Sequence, residues 1–262
     1  MIAHLTAVEV SISNLGVFFE DPAWVIRGMS FDVESGSSVA ILGESGAGKS
    51  VLLRILAGLQ MASEGSVCVS GAPVTAPQQS VGYVAQDYSR SLFPWLTISG
   101  NLRLALLKSG YSRGEINDRI LQALNDVGLD KHGDKYPWES SGGMQQRASL
   151  ARVLLGSPKV LLLDEPFGSL DTSVKWDLQD LIRHVCRERK ITTVLVTHDI
   201  EEAIYMSDRI LTIGSNPARV TWDTKVNLDE FRTQSITRVQ PEFLSLREQL
   251  LKRAIDKFSA TA

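Results

Sequence analysis

The octapeptide GESGAGKS, Gly43 to Ser50, is the feature that most constrains how this chain folds. It fits the pattern G-x-x-x-x-G-K-[ST], and it lies between SVAILG, which reads as a buried strand, and a stretch with helical apolar spacing that runs to Leu59. Glycines let successive backbone N–H groups turn toward a phosphate, and the helix N-terminus adds a favourable dipole. An ordinary Gly/Ser turn would not require this context, so the sequence predicts a phosphate loop.

Two side chains of this loop carry specific chemistry. Lys49 supplies positive charge to a phosphate, and the Ser50 hydroxyl is a ligand for Mg²⁺. The candidate phosphate-binding residues are Gly43, Glu44, Ser45, Gly46, Ala47, Gly48, Lys49 and Ser50.

Strands and helices alternate along most of the chain. AVEVSIS and MSFDVES alternate apolar and polar residues, which predicts half-exposed antiparallel strands, whereas KVLLLDEP and TTVLVTH read as buried parallel strands followed by helices. Apolar residues three and four apart predict helices between Ser99 and Val127. The pattern indicates an α/β fold whose ligands bind at the carboxyl ends of the parallel strands.

Composition limits the classes of partner and compartment. The 262 residues carry a formal net charge of -3, which gives no bulk electrostatic reason to bind nucleic acid. Cys68 and Cys186 lack metal-ligand spacing, so reduced cysteines are expected rather than a disulfide or a zinc site. The amino terminus lacks the features of a secretory signal, and the longest apolar runs are too short to cross a bilayer, so a cytosolic location is expected.

Four polar residues follow predicted strands. Asp164 and Glu165 end the run VLLLDE, where strand alternation would direct them to opposite faces. One carboxylate can hold Mg²⁺ while the other polarises an attacking water, although two acids before a proline can also cap a turn. Gln86 and His198 end their own strands, and each would be unremarkable alone.

Taken in order, these segments resemble the ATP-binding subunit of an ATP-binding cassette (ABC) transporter over nearly the whole chain. GESGAGKS resembles the Walker A loop, SSGGMQQR the family signature, VLLLDE the Walker B strand and GSLD the D-loop. Gln86 and His198 resemble the Q-loop glutamine and the switch histidine. The order of these six motifs makes coincidence very improbable.

The resemblance implies an architecture and a set of cofactors. We expect a P-loop NTPase fold of the ABC ATPase type, with a mixed sheet core, an antiparallel β subdomain and a helical insertion at about 97–155. The ABC ATPase domain is expected to cover 1–214, with a C-terminal extension at 215–262. ATP and Mg²⁺ are the expected cofactors.

The resemblance also implies roles for individual residues. Glu165 would act on the hydrolytic water, His198 and Gln86 would sense the γ-phosphate, and Ser50, Gln86 and Asp164 would serve Mg²⁺. Phe19 best matches the aromatic residue that stacks on adenine, with Phe18 as its alternative, and both could equally be core residues.

Part of the expected site lies across a dimer interface. A helix N-terminus with paired glycines suits an anion, and the resemblance implies that Ser141, Gly142 and Gly143 close on ATP held by a second ATP-binding subunit, in a homodimer or a heterodimer. Asp171 of the D-loop would link the two nucleotide sites.

A narrower resemblance concerns three segments: SRSLFPWLTISGNL, HDIEEAIYMSDRI and the tail PEFLSLREQLLKRAI. All three are similar to importer ATPases of the nitrate, aliphatic sulfonate and taurine type. Phe93, Pro94 and Trp95 would then face an integral membrane permease, unless they pack within the domain. An extracytoplasmic solute-binding protein would act indirectly, and the chain would lie at the cytoplasmic face of the cell membrane.

Two residues depart from the family pattern, and two other functions compete. Val51 replaces a hydroxyl residue after the Walker A loop, and Ser140 replaces the leucine that usually begins the signature. An impaired regulatory cassette is one alternative, although Lys49, Asp164 and Glu165 are intact. The other is an ABC ATPase of DNA repair or translation, which the single Walker A and the lack of sustained heptads disfavour.

Overall fold

The computed structural model describes residues 7–19, 23–87, 91–168, 170–215 and 217–259. Within these ranges the strands are β1 Val8–Phe18, β2 Trp24–Glu34, β3 Ser38–Leu42, β4 Glu64–Val69, β5 Ala72–Pro73, β6 Val81–Val84, β7 Val160–Asp164, β8 Thr192–Thr197, β9 Arg209–Ile213 and β10 Val220–Lys225. The helices are α1 Lys49–Leu56, α2 Ile98–Leu104, α3 Arg113–Asp126, α4 Gly142–Leu154, α5 Thr172–Glu188, α6 Ile200–Met206, α7 Gln234–Thr237 and α8 Pro241–Ser259. A 3-10 turn covers Pro137–Glu139.

The central sheet has six strands in the order β10-β9-β3-β8-β7-β6. Neighbouring strands from β9 to β6 run parallel, whereas β10 is antiparallel to β9, so the sheet is mixed as predicted. Leu42 pairs with Thr197, and Asp164 pairs with Val196. This register brings the residues that follow β3, β7 and β8 to the same edge of the sheet.

The second sheet is antiparallel and has the order β2-β1-β4-β5. Alternate residues of β2, namely Met29, Phe31 and Val33, are buried, while the intervening residues are exposed. This apolar face packs over α1, whose Leu52 and Leu53 are fully buried, and α1 lies on the central sheet. The predicted antiparallel β subdomain is therefore confirmed, and it covers one face of the helix that follows the phosphate loop.

Helices α2, α3 and α4 follow one another between Ile98 and Leu154, where the sequence predicts a helical insertion. Ser112 begins α3 with a reciprocal capping box to Glu115, and Thr97 caps α2 by accepting the N–H of Gly100. Their apolar faces join one core cluster with α5, α6 and the other face of the central sheet.

The chain beyond residue 214 contributes to the same core. The central sheet continues past this predicted boundary, because β10 pairs with β9. Helix α8 lies against α6 and buries Phe243 and Leu250. Strand β10 is not predicted from the sequence, because its residues alternate between half-buried and exposed without a fully buried position. Among the described helices, none is long and apolar enough to cross a membrane.

Candidate functional site

The phosphate loop curls around the side chain of Lys49. Gly46 and Gly48 adopt φ angles of 79° and 83°, in the left-handed region that glycine tolerates without a steric penalty. The Lys49 side chain is 4% exposed, and its Nζ donates to the carbonyl oxygens of Gly43 and Glu44 at 2.8 Å each. The first turn of α1 contains no acidic residue of its own, so the helix itself adds no negative charge that would repel an anion bound at its N-terminus.

One carboxylate joins the phosphate loop to the residue that follows β8. Glu165 Oε1 lies 3.3 Å from Lys49 Nζ, and Glu165 Oε2 lies 3.1 Å from His198 Nδ1. Glu165 has a φ of 43°, which is costly for a residue with a side chain and is typical of functional sites. The structure thus gathers three residues that are far apart in the sequence.

Strand alternation predicts that Asp164 and Glu165 lie on opposite faces of the sheet. The structure shows that they do not. Asp164 Oδ1 accepts a hydrogen bond from Ser50 Oγ at 2.9 Å, while Glu165 contacts Lys49, so both carboxylates reach the start of α1. Glu165 lies just beyond the end of β7, where its left-handed backbone breaks the alternation.

Tyr83 also contacts this site, although no motif in the sequence predicts it. Its hydroxyl donates to Asp164 Oδ2 at 2.9 Å, so both oxygens of this buried carboxylate have a donor. Burial, together with the negative charge of Asp164, raises the pKa of Tyr83 to about 12. The sequence does contain one indication of this contact. Tyr83 carries a hydroxyl group in the otherwise apolar strand VGYV, which leads to Gln86.

The donor set at Asp164 suits a hard cation. A carboxylate and a hydroxyl 2.9 Å apart offer oxygen ligands, and Mg²⁺ is usually held by one or two such groups together with phosphates and water. No cluster of three or more His, Cys, Asp or Glu residues suited to a metal occurs in the described part of the chain. The residues present therefore fit Mg²⁺ that is held partly by a nucleotide, and they do not form a closed metal cage.

The turn that carries His198 is fixed from both sides. Asp199 caps α6 by accepting the N–H groups of Glu201 and Glu202, and Thr197 Oγ1 donates to Glu202 Oε2 at 2.6 Å. Lys175 Nζ from α5 lies 2.9 Å from Asp199 Oδ2 and 2.5 Å from Glu202 Oε1.

These contacts also set the ionisation of the cluster. Burial favours the neutral form of Asp199, but Lys175 and two backbone N–H groups outweigh it and lower the pKa of that carboxyl. Burial dominates at Glu202 and raises its pKa. Burial opposes the charge on Lys175, yet its two carboxylate partners raise its pKa. The cluster therefore holds a charged lysine against an ionised Asp199.

Three other predicted residues lie in exposed positions. Gln86 follows β6 by two residues, and because β6 is parallel to β7, it lies at the same edge as Glu165. Phe19 follows β1, and 60% of its surface is exposed. The ring of Phe18 packs edge-on against the ring of Trp24, with 5.1 Å between the ring centroids. Asp171 occupies the N-cap position of α5 without a capping side-chain hydrogen bond.

The signature segment forms the start of α4. Ser141 caps this helix by accepting the N–H of Met144, and both Ser141 and Gly142 are exposed. A Cβ at Gly143 would lie 2.5 Å from Val174 Cγ1, so any side chain at this position would force Val174 or the helices α4 and α5 to shift. Among the described residues, no hydrogen bond or ion pair joins this segment to the phosphate loop of its own chain.

The two departures from the family pattern differ in their surroundings. Val51 is half-buried and packs against the core beneath α1. Ser140 is half-buried, and its hydroxyl donates to the carbonyl of Tyr136 at 3.2 Å.

The aromatic loop after Gln86 is shaped by a buried amide. Asn101 is fully buried, accepts the N–H of Phe93 at 2.7 Å, and donates to carbonyl oxygens including those of Phe93 and Leu96. Phe93 and Trp95 remain 41% and 68% exposed, with ring centroids 5.2 Å apart. The loop therefore presents large apolar surface from a fixed backbone.

Comparisons of the sequence with known proteins identify its family. A family model described as ABC transporter matches residues 26–168. The aliphatic sulfonates import ATP-binding protein SsuB of Bacillus cereus is 37% identical over 250 residues, which cover 94% of this chain and 96% of that protein. The bicarbonate transport ATP-binding protein CmpC of Synechocystis is 37% identical over 229 residues, which cover 86% of this chain and 34% of that longer protein.

Solved structures agree as well. CbiO1 of Clostridium perfringens, part of the ABC transporter complex cbiONQ, superposes with a TM-score of 0.77 at 26% identity over 84% of this chain and 89% of its own. The cassette MJ0796, solved as a dimer bound to ADP and Pi, gives a TM-score of 0.73 at 27% identity over 84% of this chain and all of its own. The chain therefore belongs to the ABC transporter family, as one of its ATP-binding, ATP-hydrolysing cassettes.

Proposed function

We propose that this chain is the ATP-hydrolysing subunit of an ABC importer that energises the uptake of a small oxyanion-type solute through a membrane permease. The observation that carries the proposal is the position of Glu165 between Lys49 and His198, at the sheet edge that bears the phosphate loop. SsuB relatives are named for aliphatic sulfonates and CmpC for bicarbonate, which supports a small oxyanion such as a sulfonate. Nitrate and taurine rest on the resemblance of the segment around Phe93 to importer ATPases of that type.

In this proposal, the phosphate loop binds the phosphates of ATP. The backbone N–H groups between Gly43 and Ser50 face the phosphate oxygens, and the ammonium of Lys49 exchanges its carbonyl partners for them. Asp164, Ser50 and Gln86 would hold Mg²⁺, which when bound offsets the negative charge of the phosphates. Phe19, exposed after β1, offers its ring to adenine.

Glu165 orients and polarises the attacking water. Its carboxylate lies within reach of the phosphate-binding cation, and His198 holds one of its oxygens by a hydrogen bond. Gln86 and His198 follow two different strands that end at the same edge of the sheet. In this proposal both residues lie near the γ-phosphate of ATP and sense its presence.

The complete site requires a second cassette. The exposed N-terminus of α4, with Ser141, Gly142 and Gly143, would close on ATP held by the partner, and Asp171 would connect the two sites. The dimeric form of the MJ0796 relative supports this arrangement.

The membrane partner would bind the loop that carries Phe93 and Trp95. Two exposed aromatic rings on a fixed backbone suit a protein interface better than water. The cassette would then be a peripheral protein at the cytoplasmic face of the membrane, and a solute-binding protein on the other face would deliver the solute.

Reconstitution tests the proposal. The cassette and the permease encoded beside it are placed in proteoliposomes with ATP inside, and uptake of a labelled sulfonate, taurine or nitrate is measured with the binding protein outside. ATP-dependent uptake of one of these solutes is expected. Purification of the cassette with nucleic acid or ribosomes instead of a permease would exclude the transport function.

A further inference from the structure

The C-terminal segment lies along α5 and approaches the start of that helix. Arg183, in the middle of α5, donates to the carbonyl of Glu230 at 3.0 Å. Further along the segment, Gln234 Nε2 donates to Asp180 Oδ1 at 3.0 Å and to the Trp176 carbonyl at 3.3 Å. The segment therefore runs antiparallel to α5, toward the turn that begins at Asp171.

Arg238 ends this path by contacting two helices at once. Its Nη1 donates to Glu201 Oε2 of α6 at 2.8 Å, and its Nη2 donates to Gln179 Oε1 of α5 at 3.1 Å. Its Nε donates to Gln234 Oε1 at 2.8 Å. The planar guanidinium thus connects α5, α6 and α7 through three different nitrogens, a geometry that a lysine ammonium cannot reproduce.

The surroundings of Arg238 favour a fixed position. The side chain is 11% exposed, and its guanidinium carbon lies 5.4 Å from the ring centroid of Trp176 and 5.1 Å from that of Tyr205. These rings belong to α5 and α6 respectively. Cation–π contacts with both helices add to the hydrogen bonds.

The two helices joined by Arg238 carry two of the motifs. Helix α5 begins directly after Asp171, and Glu201 lies in the first turn of α6, three residues after His198. Lys175 already links the two helices near these motifs, through Asp199 and Glu202. Farther along α6, the Tyr205 hydroxyl donates to Asp180 of α5 and the Tyr205 carbonyl accepts from Arg183. Arg238 adds an attachment from the C-terminal segment to the first turn of α6, through Glu201.

We propose that Arg238 is a positioning residue that holds α6 against α5, so that the C-terminal segment couples His198 to Asp171. The proposal rests on the roles given above to these two residues. It assigns a task to the C-terminal segment: the switch histidine of one nucleotide site and the residue that reaches toward the other site move as one unit. Loosening this attachment lowers turnover without removing a group that contacts ATP.

Arg247 provides a matched control. It lies on α8, and its Nη1 donates to the other oxygen of Glu201 at 3.0 Å. No hydrogen bond or ion pair of Arg247 to α5 occurs among the described residues. Arg247→Met therefore removes a cation from the same carboxylate while leaving the bridge between the helices intact.

The experiment compares Arg238→Met and Arg247→Met in the full-length cassette assembled with its permease. Hydrogen–deuterium exchange is followed in peptides covering the starts of α5 and α6, and ATP turnover, KM for ATP and melting temperature are measured on the same samples. For Arg238→Met, exchange at the start of α6 rises, and turnover falls about three- to tenfold with KM nearly unchanged, the range expected when a coupling residue is lost. For Arg247→Met, the exchange at the start of α6 and the ATP turnover both stay within about twofold of the wild-type values.

Three results would overturn the proposal. Unchanged exchange and turnover in Arg238→Met would show that the bridge is unnecessary, and equal effects of the two variants would assign the change to the charge on Glu201. If Arg238→Met fails to fold, Arg238→Lys, which keeps a cation over the rings, must show the same increase in α6 exchange; unchanged exchange in that variant is the third contradicting result. A wild-type complex without ATPase activity would instead contradict the proposed function, while the exchange data still decide the bridge.

Discussion

Lys49 and Glu165 form an ion pair across the site, with 3.3 Å between Nζ and Oε1. The other oxygen of Glu165 lies 3.1 Å from His198 Nδ1. A single carboxylate therefore lies between the cation of the phosphate loop and the histidine that follows β8. Because the Glu165 side chain is 14% exposed, its charge is only partly screened by water. This arrangement makes Glu165 the most informative residue to change.

Glu165→Gln should abolish ATP turnover while preserving ATP binding. Glutamine keeps the size of the side chain but cannot accept a proton from the attacking water, and removal of a general base typically lowers rates about a hundredfold or more. Lys49 loses one anionic partner and stays available for phosphate. Phosphate release and equilibrium binding of ATP to the cassette measure the two effects separately.

Glu188→Gln is the matched control, since Glu188 is an exposed glutamate at the end of α5 whose side chain is 66% accessible. Its turnover should equal that of wild type. Retained turnover in Glu165→Gln would contradict the role proposed for Glu165.

Much of the fold could be predicted because its signals are local. The apolar runs before Gly43 and at Val160 to Asp164 are short, β-branched or leucine-rich and bounded by loop residues, and both are strands of the central sheet. By contrast, β10 is an edge strand whose inward residues, such as Trp222, are only half-buried. Its alternation was too weak to predict a strand, because an edge position buries little surface.

The contacts around the site were less predictable, because they join residues far apart in the chain. Asp164 and Ser50 were expected to serve the same Mg²⁺, but the Tyr83 hydroxyl on Asp164 depends on the pairing of β6 with β7. Lys175 and Arg238 meet the residues around His198 only through the packing of α5 and the C-terminal segment on α6. Spacing in one sequence carries no information about such contacts.

Tyr83→Phe should weaken the response of the cassette to Mg²⁺. The variant keeps the ring but removes the donor to Asp164 Oδ2, so the carboxylate loses one of the two hydrogen bonds that orient it. Loss of such an outer contact typically costs about 10- to 100-fold in metal affinity or activity. The Mg²⁺ concentration for half-maximal turnover should rise about tenfold, and Mn²⁺ binding followed by electron paramagnetic resonance in the presence of ATP should weaken in parallel.

Tyr111→Phe is the control for this prediction, because Tyr111 is exposed and its ring stacks under Arg119 instead of contacting the site. It should leave the Mg²⁺ dependence unchanged. An unchanged Mg²⁺ dependence in Tyr83→Phe as well would mean that this hydroxyl does not orient Asp164.

Val51→Thr should strengthen ATP binding. The resemblance to the family implies a hydroxyl contact to the α-phosphate at this position, and a neutral hydrogen bond contributes about 0.5–1.5 kcal/mol. Val51 is half-buried, so the cost of placing a hydroxyl near the core offsets part of this gain. We expect a Kd for ATP about two- to fivefold lower by isothermal titration calorimetry, whereas Val51→Ala, which adds no hydroxyl, should not improve binding.

Cys186 should resist alkylation until the pH is strongly basic. Burial raises the pKa of its thiol to about 11, although Thr193 and Arg189 partly oppose the shift. At pH 8 only roughly 0.1% of the folded molecules carry Cys186 as a thiolate, so iodoacetamide should modify the half-buried Cys68 first. Mass spectrometry of peptides measures the extent of labelling at each cysteine. Equal labelling of both thiols at pH 8 would contradict the packing of α5 on the sheet.

The same thiol links stability to pH. An unfolded cysteine ionises near pH 8.5, so between about pH 8.5 and 11 the folded chain retains a proton that the unfolded chain releases. The contribution of Cys186 is fully present below this window and decreases as the pH rises through it. Denaturant titrations at pH 8 and pH 10 should show a smaller loss of unfolding free energy for Cys186→Ala than for wild type or Cys68→Ala.

Ser140→Leu should favour dimerisation in the presence of ATP. Ser140 precedes the exposed N-terminus of α4, and its hydroxyl makes one neutral hydrogen bond to the Tyr136 carbonyl, so replacement costs little inside the chain. The leucine adds apolar surface beside the face proposed to close on a partner, and burying part of it there stabilises the dimer. Sedimentation of Ser140→Leu in the Glu165→Gln background should show dimers at lower protein concentration. The same dimer fraction as with Ser140 would instead indicate that position 140 lies outside the contact, and that the proposed interface must exclude the start of the signature segment.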